Sequence, residues 1–208
     1  TETEALLALD NGTPPLTVHI NPLKTTAEEL TRELSAWGVT AKPHAWVPGC
    51  LELTGVGDLT TLEPFREGKL LVQDPAARLV SLIAGVQPGQ KVLDLCAAPG
   101  GKSFAMAEKM QGKGSLTSCD IYEHKLKRIQ EGAARLGLPN IRTELQDASA
   151  FRAEWAESAD TVLCDVPCSG LGIIRKKPET RYKDPDEIAK LPALQLAILE
   201  NCARYVKP

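Results

Sequence analysis

A carboxylate, a proline and a cysteine stand together at Asp165, Pro167 and Cys168, at the start of the stretch DVPCSGLGIIRKKPETRY. A thiol can act as a nucleophile, and a carboxyl group can donate or accept a proton beside it. A basic run follows directly, which would suit an anionic partner. Each part could also belong to an ordinary surface loop, so the rest of the sequence has to decide between the two interpretations.

A second stretch that could do chemistry is VLDLCAAPGGKSF, residues 92–104. A strand is predicted to end near Cys96 and a helix to begin at Ser103, with a loop of small residues between them. Glycines let a backbone approach a ligand closely, and a helix N-terminus offers unpaired N–H groups to an anion. The spacing is neither GxGxxG nor a P-loop. Taken alone, the loop is equally compatible with a tight turn that binds nothing.

Three further strand-like runs each lead to an aspartate, namely Asp120, Asp147 and Asp165. Asp120 follows Gly100 by 20 positions, the distance at which dinucleotide-binding folds place the acid that holds the ribose hydroxyls. A single aspartate is usually a turn former or a helix cap. Three of them at strand ends, together with the glycine-containing loop, predict a nucleoside site.

The elements that must position these residues alternate along the chain. The apolar runs KVLDLC, SLTSCD, IRTELQD and TVLCD are separated by the helical segments SFAMAEKM and HKLKRIQEGAARLG and by a short polar segment. This order predicts a parallel sheet with right-handed crossovers, and the continuous apolar strands indicate that both faces are covered. We therefore expect a doubly wound, Rossmann-like α/β domain over residues 69–208, opening with a strand in GKLLVQ. Only four core strands precede the C-terminal helix, so we expect the sheet to be truncated at Pro208.

Residues 1–68 predict a small α+β module. A short helix, ETEALLAL, precedes the strand PLTVHIN, and a second strand, CLELTG, follows the helix TTAEELTRELSAWGV. In that helix a threonine cap starts the segment, Gly38 ends it, and Leu30, Leu34 and Trp37 share the apolar face. We expect VGDLTTLEPFREG to be a connection to the larger domain.

Composition excludes several classes of protein. The chain has 208 residues, 43% of them hydrophobic, with no apolar run approaching the roughly 18 residues of a membrane span. The acidic N-terminus lacks a secretory core, so we expect a cytoplasmic protein with no membrane partner. Six cysteines occur without a CxxC pair, which argues against zinc and structural disulfides, and no metal is expected. The net charge of −3 gives no global attraction for nucleic acid, so local clusters must provide it.

LDLCAAPGGKS, the strand ending in Asp120 and DVPCSGLGIIRKKPE together resemble the S-adenosylmethionine-dependent RNA (cytosine-5)-methyltransferases, in particular the bacterial Sun-type group that modifies small-subunit ribosomal RNA. PLTVHINPLKTTAEELTRELSAWGV resembles the small RNA-recognition-like module of that family, and LLVQDPAARL its entry motif. The resemblance implies S-adenosylmethionine as cofactor and 16S rRNA as partner. It implies cofactor contacts from Cys96, Ala97, Ala98, Pro99, Gly100, Gly101, Lys102, Asp120 (ribose), Asp147 (adenine edge) and Asp165.

Methylation at cytosine C5 explains why Asp165 and Cys168 would be catalytic. A thiolate adds to C6, the ring then attacks the methyl group through C5, and a base removes the C5 proton; an acid at N3 eases the addition. Amino-group methyltransferases would show Asp/Asn-Pro-Pro-aromatic, and Cys168 replaces that aromatic residue. In the family that this chain resembles, the nucleophile is a second cysteine in a Thr-Cys-Ser/Thr strand, and the Pro-Cys residue assists product release. We expect that strand beyond Pro208, with Cys202 a core residue, so this chain would bind cofactor without turnover.

The basic run after Gly172 is the candidate RNA contact, through Arg175, Lys176, Lys177, Arg181 and Lys183. The alternative is a solvated loop whose charges pair with Glu179, Asp184 and Asp186. Two alternatives for function also stay open: the same chemistry on tRNA or another rRNA position, or a nucleotide- or RNA-binding module without catalysis. We expect a monomer.

Overall fold

Two four-stranded sheets organise the computed structural model, which describes residues 1–208. The first sheet has the order β2-β3-β1-β4 and the second has the order β7-β6-β5-β8. The strands are β1 (Leu16–Ile20), β2 (Thr40–Pro43), β3 (Cys50–Thr54), β4 (Leu70–Val72), β5 (Lys91–Asp94), β6 (Ser115–Asp120), β7 (Ile141–Leu145) and β8 (Thr161–Leu163). The α-helices are α1 (Glu2–Asp10), α2 (Ala27–Ala36), α3 (Glu63–Arg66), α4 (Pro75–Ile83), α5 (Gly101–Lys109), α6 (Glu123–Leu136) and α7 (Pro185–Tyr205). None of these helices combines the length and apolar character that a bilayer span requires.

The first sheet is antiparallel and packs on α2. Thr26 caps α2 through a capping box with Glu29, as the threonine cap predicted. Leu30 and Leu34 are fully buried in the module's core, in agreement with the predicted apolar face. The inclusion of Trp37 in that face was wrong, because its side chain is 51% exposed at the C-terminal cap of the helix. The short polar edge strand β2 was not predicted either.

Strand β4 belongs to the first sheet rather than to the larger domain that we expected it to open. It pairs antiparallel with β1, with Ile20 opposite Leu70 and Val18 opposite Val72. Leu70 is fully buried in the same core as Leu30 and Leu34. A short apolar strand carries no local signal for the sheet it joins, because its partner is about fifty residues away. The division of the chain into residues 1–68 and 69–208 stays a prediction.

The second sheet is parallel throughout, and all four strands predicted for it are present. Val92 and Leu116 pack in one cluster with residues of α5 and α6, while Leu93 and Cys119 pack in another with residues of α7. Successive residues of a strand point to opposite faces, so both faces of this sheet are covered. The predicted doubly wound α/β architecture is therefore confirmed.

The long helix α7 closes one face of the parallel sheet. Asp184 caps it by accepting from the Asp186 N–H, and Ile198 and Cys202 are buried against the sheet. The prediction of Cys202 as a core residue is confirmed. After the helix, Val206 forms a parallel bridge with Ala159, next to the start of β8.

Candidate functional site

The carboxyl ends of the parallel strands surround a cavity of about 120 Å³. In parallel sheets, ligands bind at this edge. The cavity brings together Cys96, Asp120, Asp147 and Pro167, which were singled out from the sequence. Its full lining is Leu95, Cys96, Asp120, Ile121, Tyr122, Lys125, Asp147, Ala148, Pro167, Leu194 and Ile198.

Asp120 and Asp147 present their carboxylates to the cavity in the same way. The Oδ1 atom of Asp120 accepts from the Tyr122 N–H at 3.0 Å, and the Oδ1 atom of Asp147 accepts from the N–H and hydroxyl of Ser149 at 2.9 and 2.7 Å. Each aspartate therefore stabilises the turn that follows its strand. The Oδ2 atoms accept no hydrogen bond from the protein, and Lys125 provides a positive charge 3.7 Å from Asp120. Two free carboxylate oxygens can accept hydrogen bonds from hydroxyl or amine groups of a ligand.

The loop from Cys96 to Lys102 is tied to the neighbouring strands. The Ala97 N–H donates to the Cys119 carbonyl at 2.8 Å, and the Gly100 N–H donates to the Ala97 carbonyl at 2.7 Å. The Ala98–Pro99 peptide bond is cis, and Gly100 caps α5 with φ +107°. The loop thus ends where the unpaired N–H groups of a nine-residue helix begin.

Gly100 is required by packing inside the protein as well as by its backbone conformation. A Cβ atom at Gly100 would lie 2.5 Å from Cζ of Phe104, one turn along α5. A Cβ atom at Gly132 of α6 would lie equally close, 2.5 Å, to the same atom. The aromatic ring therefore lies between two glycines. The sequence predicted only a ligand-approach role for Gly100; Phe104, four residues later, adds the packing requirement.

Asp94 is a buried carboxyl group of the site that was not among the residues predicted from the sequence. Its Oδ2 atom accepts from the Ser103 hydroxyl at 2.6 Å, and Ser103 in turn accepts from the Ser118 hydroxyl at 2.8 Å. Burial raises the pKa of Asp94 to about 6, and the neighbouring Asp165 carboxylate acts in the same direction. Asp94 stands two residues before Cys96, where the predicted loop begins, and Ser103 in the first turn of α5 was the signal that could have revealed it.

Asp165 and Cys168 do not line the cavity, although Pro167 between them does. Asp165 forms an ion pair with Lys102, the second residue of α5 after the glycine-containing loop, with Nζ and Oδ2 2.6 Å apart. Cys168 is exposed and borders a separate groove of about 390 Å³ with Lys183, Ile188 and Leu191. Asp165 therefore lies beside the N-terminus of α5, whereas the Cys168 thiol lies beside the first turns of α7.

The cysteines around the sheet are poor nucleophiles. Burial raises the pKa of the Cys96 thiol to about 12, and burial also raises the pKa values of Cys119 and Cys202. A thiol reacts through its thiolate, so these groups are unreactive near neutral pH. Cys96 forms part of the cavity wall as a neutral, apolar group.

Four of the five basic residues predicted to contact RNA have partners within the chain. Arg175 donates to the carbonyls of Gly12 and Thr13 at 3.2 and 3.0 Å, and Arg181 donates to the Asn11 side chain at 3.3 Å. Lys176 pairs with Asp74, and Lys183 donates to the Ser169 carbonyl at 2.6 Å. The Lys177 side chain forms no hydrogen bond or ion pair within the protein, although its backbone N–H donates to the Ile173 carbonyl at 2.8 Å. The expected alternative partners Glu179, Asp184 and Asp186 are not used: the segment after α1 binds the two arginines, and Asp74 and the Ser169 carbonyl bind the two lysines.

Comparisons with known proteins cover both sheets. Residues 81–208 match the family model described as 16S rRNA methyltransferase RsmB/F, and residues 1–60 match the ferredoxin-like domain of RsmF/B-like methyltransferases. A probable ribosomal RNA small subunit methyltransferase B from Bacillus subtilis is 39% identical over 93% of this chain and 44% of its own length. The chain spans about half the length of the curated relatives it matches.

Two solved structures support the same assignment. The crystal structure of PH0851 is 35% identical and superimposes with a TM-score of 0.94, over 100% of this chain and 47% of that one. A methyltransferase homologue from Pyrococcus horikoshii is 26% identical with a TM-score of 0.83, over 97% of this chain and 64% of that one. With the parallel sheet, the loop after β5 and the aspartates at the strand ends, these matches show that the chain belongs to the RsmB/F family of 16S rRNA methyltransferases.

Proposed function

We propose that this chain is the cofactor-binding part of an S-adenosylmethionine-dependent enzyme that methylates C5 of a cytidine in 16S rRNA. The observation that carries the proposal is the pair of free carboxylate oxygens on Asp120 and Asp147, at a cavity beside the glycine-containing loop of a chain in this family. The named relative from Bacillus subtilis is itself a probable small-subunit rRNA methyltransferase. Ribosomal RNA is accordingly the proposed partner.

The residues at the cavity fit a nucleoside cofactor. Asp120 would accept from the ribose hydroxyls, and Asp147 would accept from the adenine amino group. Ile121, Ala148 and Pro167 supply apolar surface on which a base can pack. The backbone of residues 96–102 and the N-terminus of α5 would contact the remainder of the molecule. When bound, S-adenosylmethionine supplies an electrophilic methyl group.

The catalytic roles of Asp165 and Cys168 follow from the proposed C5 chemistry. Asp165, held beside the loop by Lys102, would serve as the acid toward N3 of the cytosine. The thiolate that forms the covalent adduct at C6 would come from a cysteine beyond Pro208, and Cys168 would assist release of the product. This chain would then bind cofactor but leave the RNA unmodified.

Calorimetry with S-adenosylmethionine tests the cofactor site. Asp120→Ala and Asp147→Ala should each weaken binding at least about tenfold, because each removes a charged acceptor, whose hydrogen bonds contribute about 1.5–3 kcal/mol. Asp58→Ala is the matched control. Asp58 accepts from the N–H and hydroxyl of Thr60 at 2.9 and 2.7 Å, the same pattern of contacts that Asp147 makes with Ser149, but it lies in the first module and does not line the cavity. Equal affinity in all three variants, or tighter binding of ATP than of S-adenosylmethionine, would favour a nucleotide-binding module without catalysis.

A methyl-transfer assay tests the reaction. Residues 1–208 should give no 5-methylcytidine in small ribosomal subunits, whereas a longer chain that includes the following strand should. Methyl transfer by residues 1–208 alone would contradict the proposed position of the nucleophile. Modification of tRNA in place of 16S rRNA would overturn the proposed substrate and leave the chemistry in place.

A further inference from the structure

A buried polar network joins the first sheet to helix α5. His19 of β1 is 0% exposed, and its Nδ1 atom lies 3.1 Å from Oε1 of Gln73. On the other side of the ring, Nε2 lies 2.7 Å from Oε2 of Glu108, which is also buried. The two atoms are in close contact, but their alignment does not meet the geometry of a hydrogen bond. His19 therefore lies between Gln73, which follows β4, and Glu108 of α5.

Gln73 is held in one orientation by four contacts. Its backbone N–H donates to the Thr17 carbonyl at 3.3 Å, and its carbonyl accepts from the Thr17 hydroxyl at 2.9 Å. Its side-chain Nε2 donates to the carbonyl of Gly101 at 2.9 Å, which leaves Oε1 facing His19. A Cβ atom at Gly101 would lie 3.4 Å from Nε2 of Gln73. The amide thus lies directly against the first residue of α5.

The network holds α5 at both of its ends. Gln73 contacts Gly101, the first residue of the helix, and His19 contacts Glu108, seven positions later. Seven residues of α-helix span about 10 Å, so the two contacts fix both the position and the direction of the helix. Buried polar groups that lose a partner are costly, which makes this arrangement rigid. The glycine-containing loop ends at the helix N-terminus that Gln73 holds.

We propose that His19, Gln73 and Glu108 are positioning residues that fix α5, and with it the glycine-containing loop, in the conformation that binds the cofactor. The inference rests on the proposed cofactor site and extends it to a residue of the first module. The ferredoxin-like module is then part of the scaffold of the cofactor site in addition to any contact it makes with RNA. Preorganised loops bind more tightly because less ordering is required on binding.

A pair of buried amides in the same interface provides the test. Gln73→Met removes the hydrogen bonds to His19 and Gly101 with little change in shape. Asn21→Leu is the matched control: Asn21 is fully buried and donates to the carbonyls of Gly68 and Leu136 at 2.9 and 3.0 Å, away from the loop. Both variants should unfold at lower temperature than the parent chain. Only Gln73→Met should weaken S-adenosylmethionine binding measured by calorimetry, by about 3- to 10-fold, the factor expected for one hydrogen bond.

Hydrogen exchange of the free protein separates this inference from the cofactor assignment. Gln73→Met should speed exchange at the amides of residues 97–104, and Asn21→Leu should leave them unchanged. Gln73→Glu keeps an acceptor for His19 but loses the donor to Gly101, so it should show the same local effect. Unchanged exchange in both Gln73 variants, or equal changes in the Asn21 control, would overturn the inference whether or not S-adenosylmethionine binds. Loss of binding only in the Asp120 variant would support the cofactor site and reject the role of Gln73.

Discussion

Lys102 Nζ lies 2.6 Å from Asp165 Oδ2, so an ion pair joins the first turn of α5, directly after the glycine-containing loop, to the loop that follows β8. The two strands are neighbours in the sheet, and their carboxyl ends bring the loops together. Both side chains are partly exposed, 23% for lysine and 49% for aspartate. Because ion pairs of this exposure contribute at most about 1 kcal/mol, the contact orients the second loop more than it stabilises the fold.

Lys102→Met should therefore change local order with little loss of stability. We expect the unfolding free energy to fall by less than about 1 kcal/mol and hydrogen exchange at Val166, Cys168 and Ser169 to become faster. Lys207→Met is the control, since Lys207 pairs with Asp160 at the same distance, 2.6 Å, just before β8, and both side chains of this pair are also partly exposed. Faster exchange after both substitutions, or after neither, would show that the Lys102 pair does not order the loop.

The buried Asp94 should make part of the protein's stability decrease as pH rises. Its pKa is raised from 3.8 to about 6 by burial, so between these values the folded state keeps a proton that the unfolded chain has released. Each pKa unit corresponds to about 1.4 kcal/mol, which gives a loss of about 3 kcal/mol between pH 4 and 6. Below the unfolded pKa the contribution is constant, and above the folded pKa the loss is complete.

Urea unfolding of the parent chain and of Asp94→Asn across pH 4–7 measures this effect. The variant's stability relative to the parent should rise with pH by about 3 kcal/mol and level off above pH 6. The comparison is needed because Asp58, Asp74 and Asp160 have lowered pKa values and favour the folded state as pH rises. A difference that does not depend on pH would mean that Asp94 is ionised throughout the range.

Alanine at position 132, a glycine within α6, should destabilise the protein because of the Phe104 ring. Alanine normally stabilises a helix interior by about 0.5–1 kcal/mol over glycine. A Cβ atom at Gly132 would instead lie 2.5 Å from the Phe104 ring, so Gly132→Ala should destabilise by about 1–3 kcal/mol. In a Phe104→Leu background the same substitution should cost less, measured by urea unfolding of all four proteins of the cycle. Independent effects of the two substitutions would contradict the packing of the ring between Gly100 and Gly132.

Local sequence patterns predicted the elements of the parallel sheet because each strand is a continuous apolar run between helices. The strand ends, and with them Asp120 and Asp147, followed from that pattern. The patterns could not assign β4 to a sheet, since its pairing with β1 is set by Leu70 entering the core around Leu34. The predicted burial of Trp37 was wrong for a related reason. Helical periodicity places Trp37 on the same face as Leu34, but α2 ends at Ala36 and the tryptophan side chain lies outside the core.

The parts of the site that were missed depend on contacts distant in the sequence. Gln73 follows a strand in the segment LLVQDPAARL, which does not itself indicate the partners of the amide: His19, 54 positions earlier, and Gly101, 28 positions later. Arg175 lies 163 positions from Gly12, which accepts from it. From the sequence, a basic loop is expected to be exposed to solvent. Only the folded structure shows that the segment after α1 lies against this loop.

Lys177 and Arg175 should affect RNA binding differently because only one of them has a partner in the protein. The Lys177 ammonium group makes no hydrogen bond or ion pair, whereas the Arg175 guanidinium donates to the carbonyls of Gly12 and Thr13. If the loop contacts RNA phosphates, Lys177→Ala should weaken binding of unmodified 16S rRNA. The slope of log K against log salt concentration should become shallower by about one, and the melting temperature should not change. Arg175→Ala should lower the melting temperature and reduce RNA affinity less, because its guanidinium is already engaged. Filter binding at several salt concentrations measures both variants, and a larger loss of affinity for Arg175→Ala would mean that RNA displaces the segment after α1 from the loop.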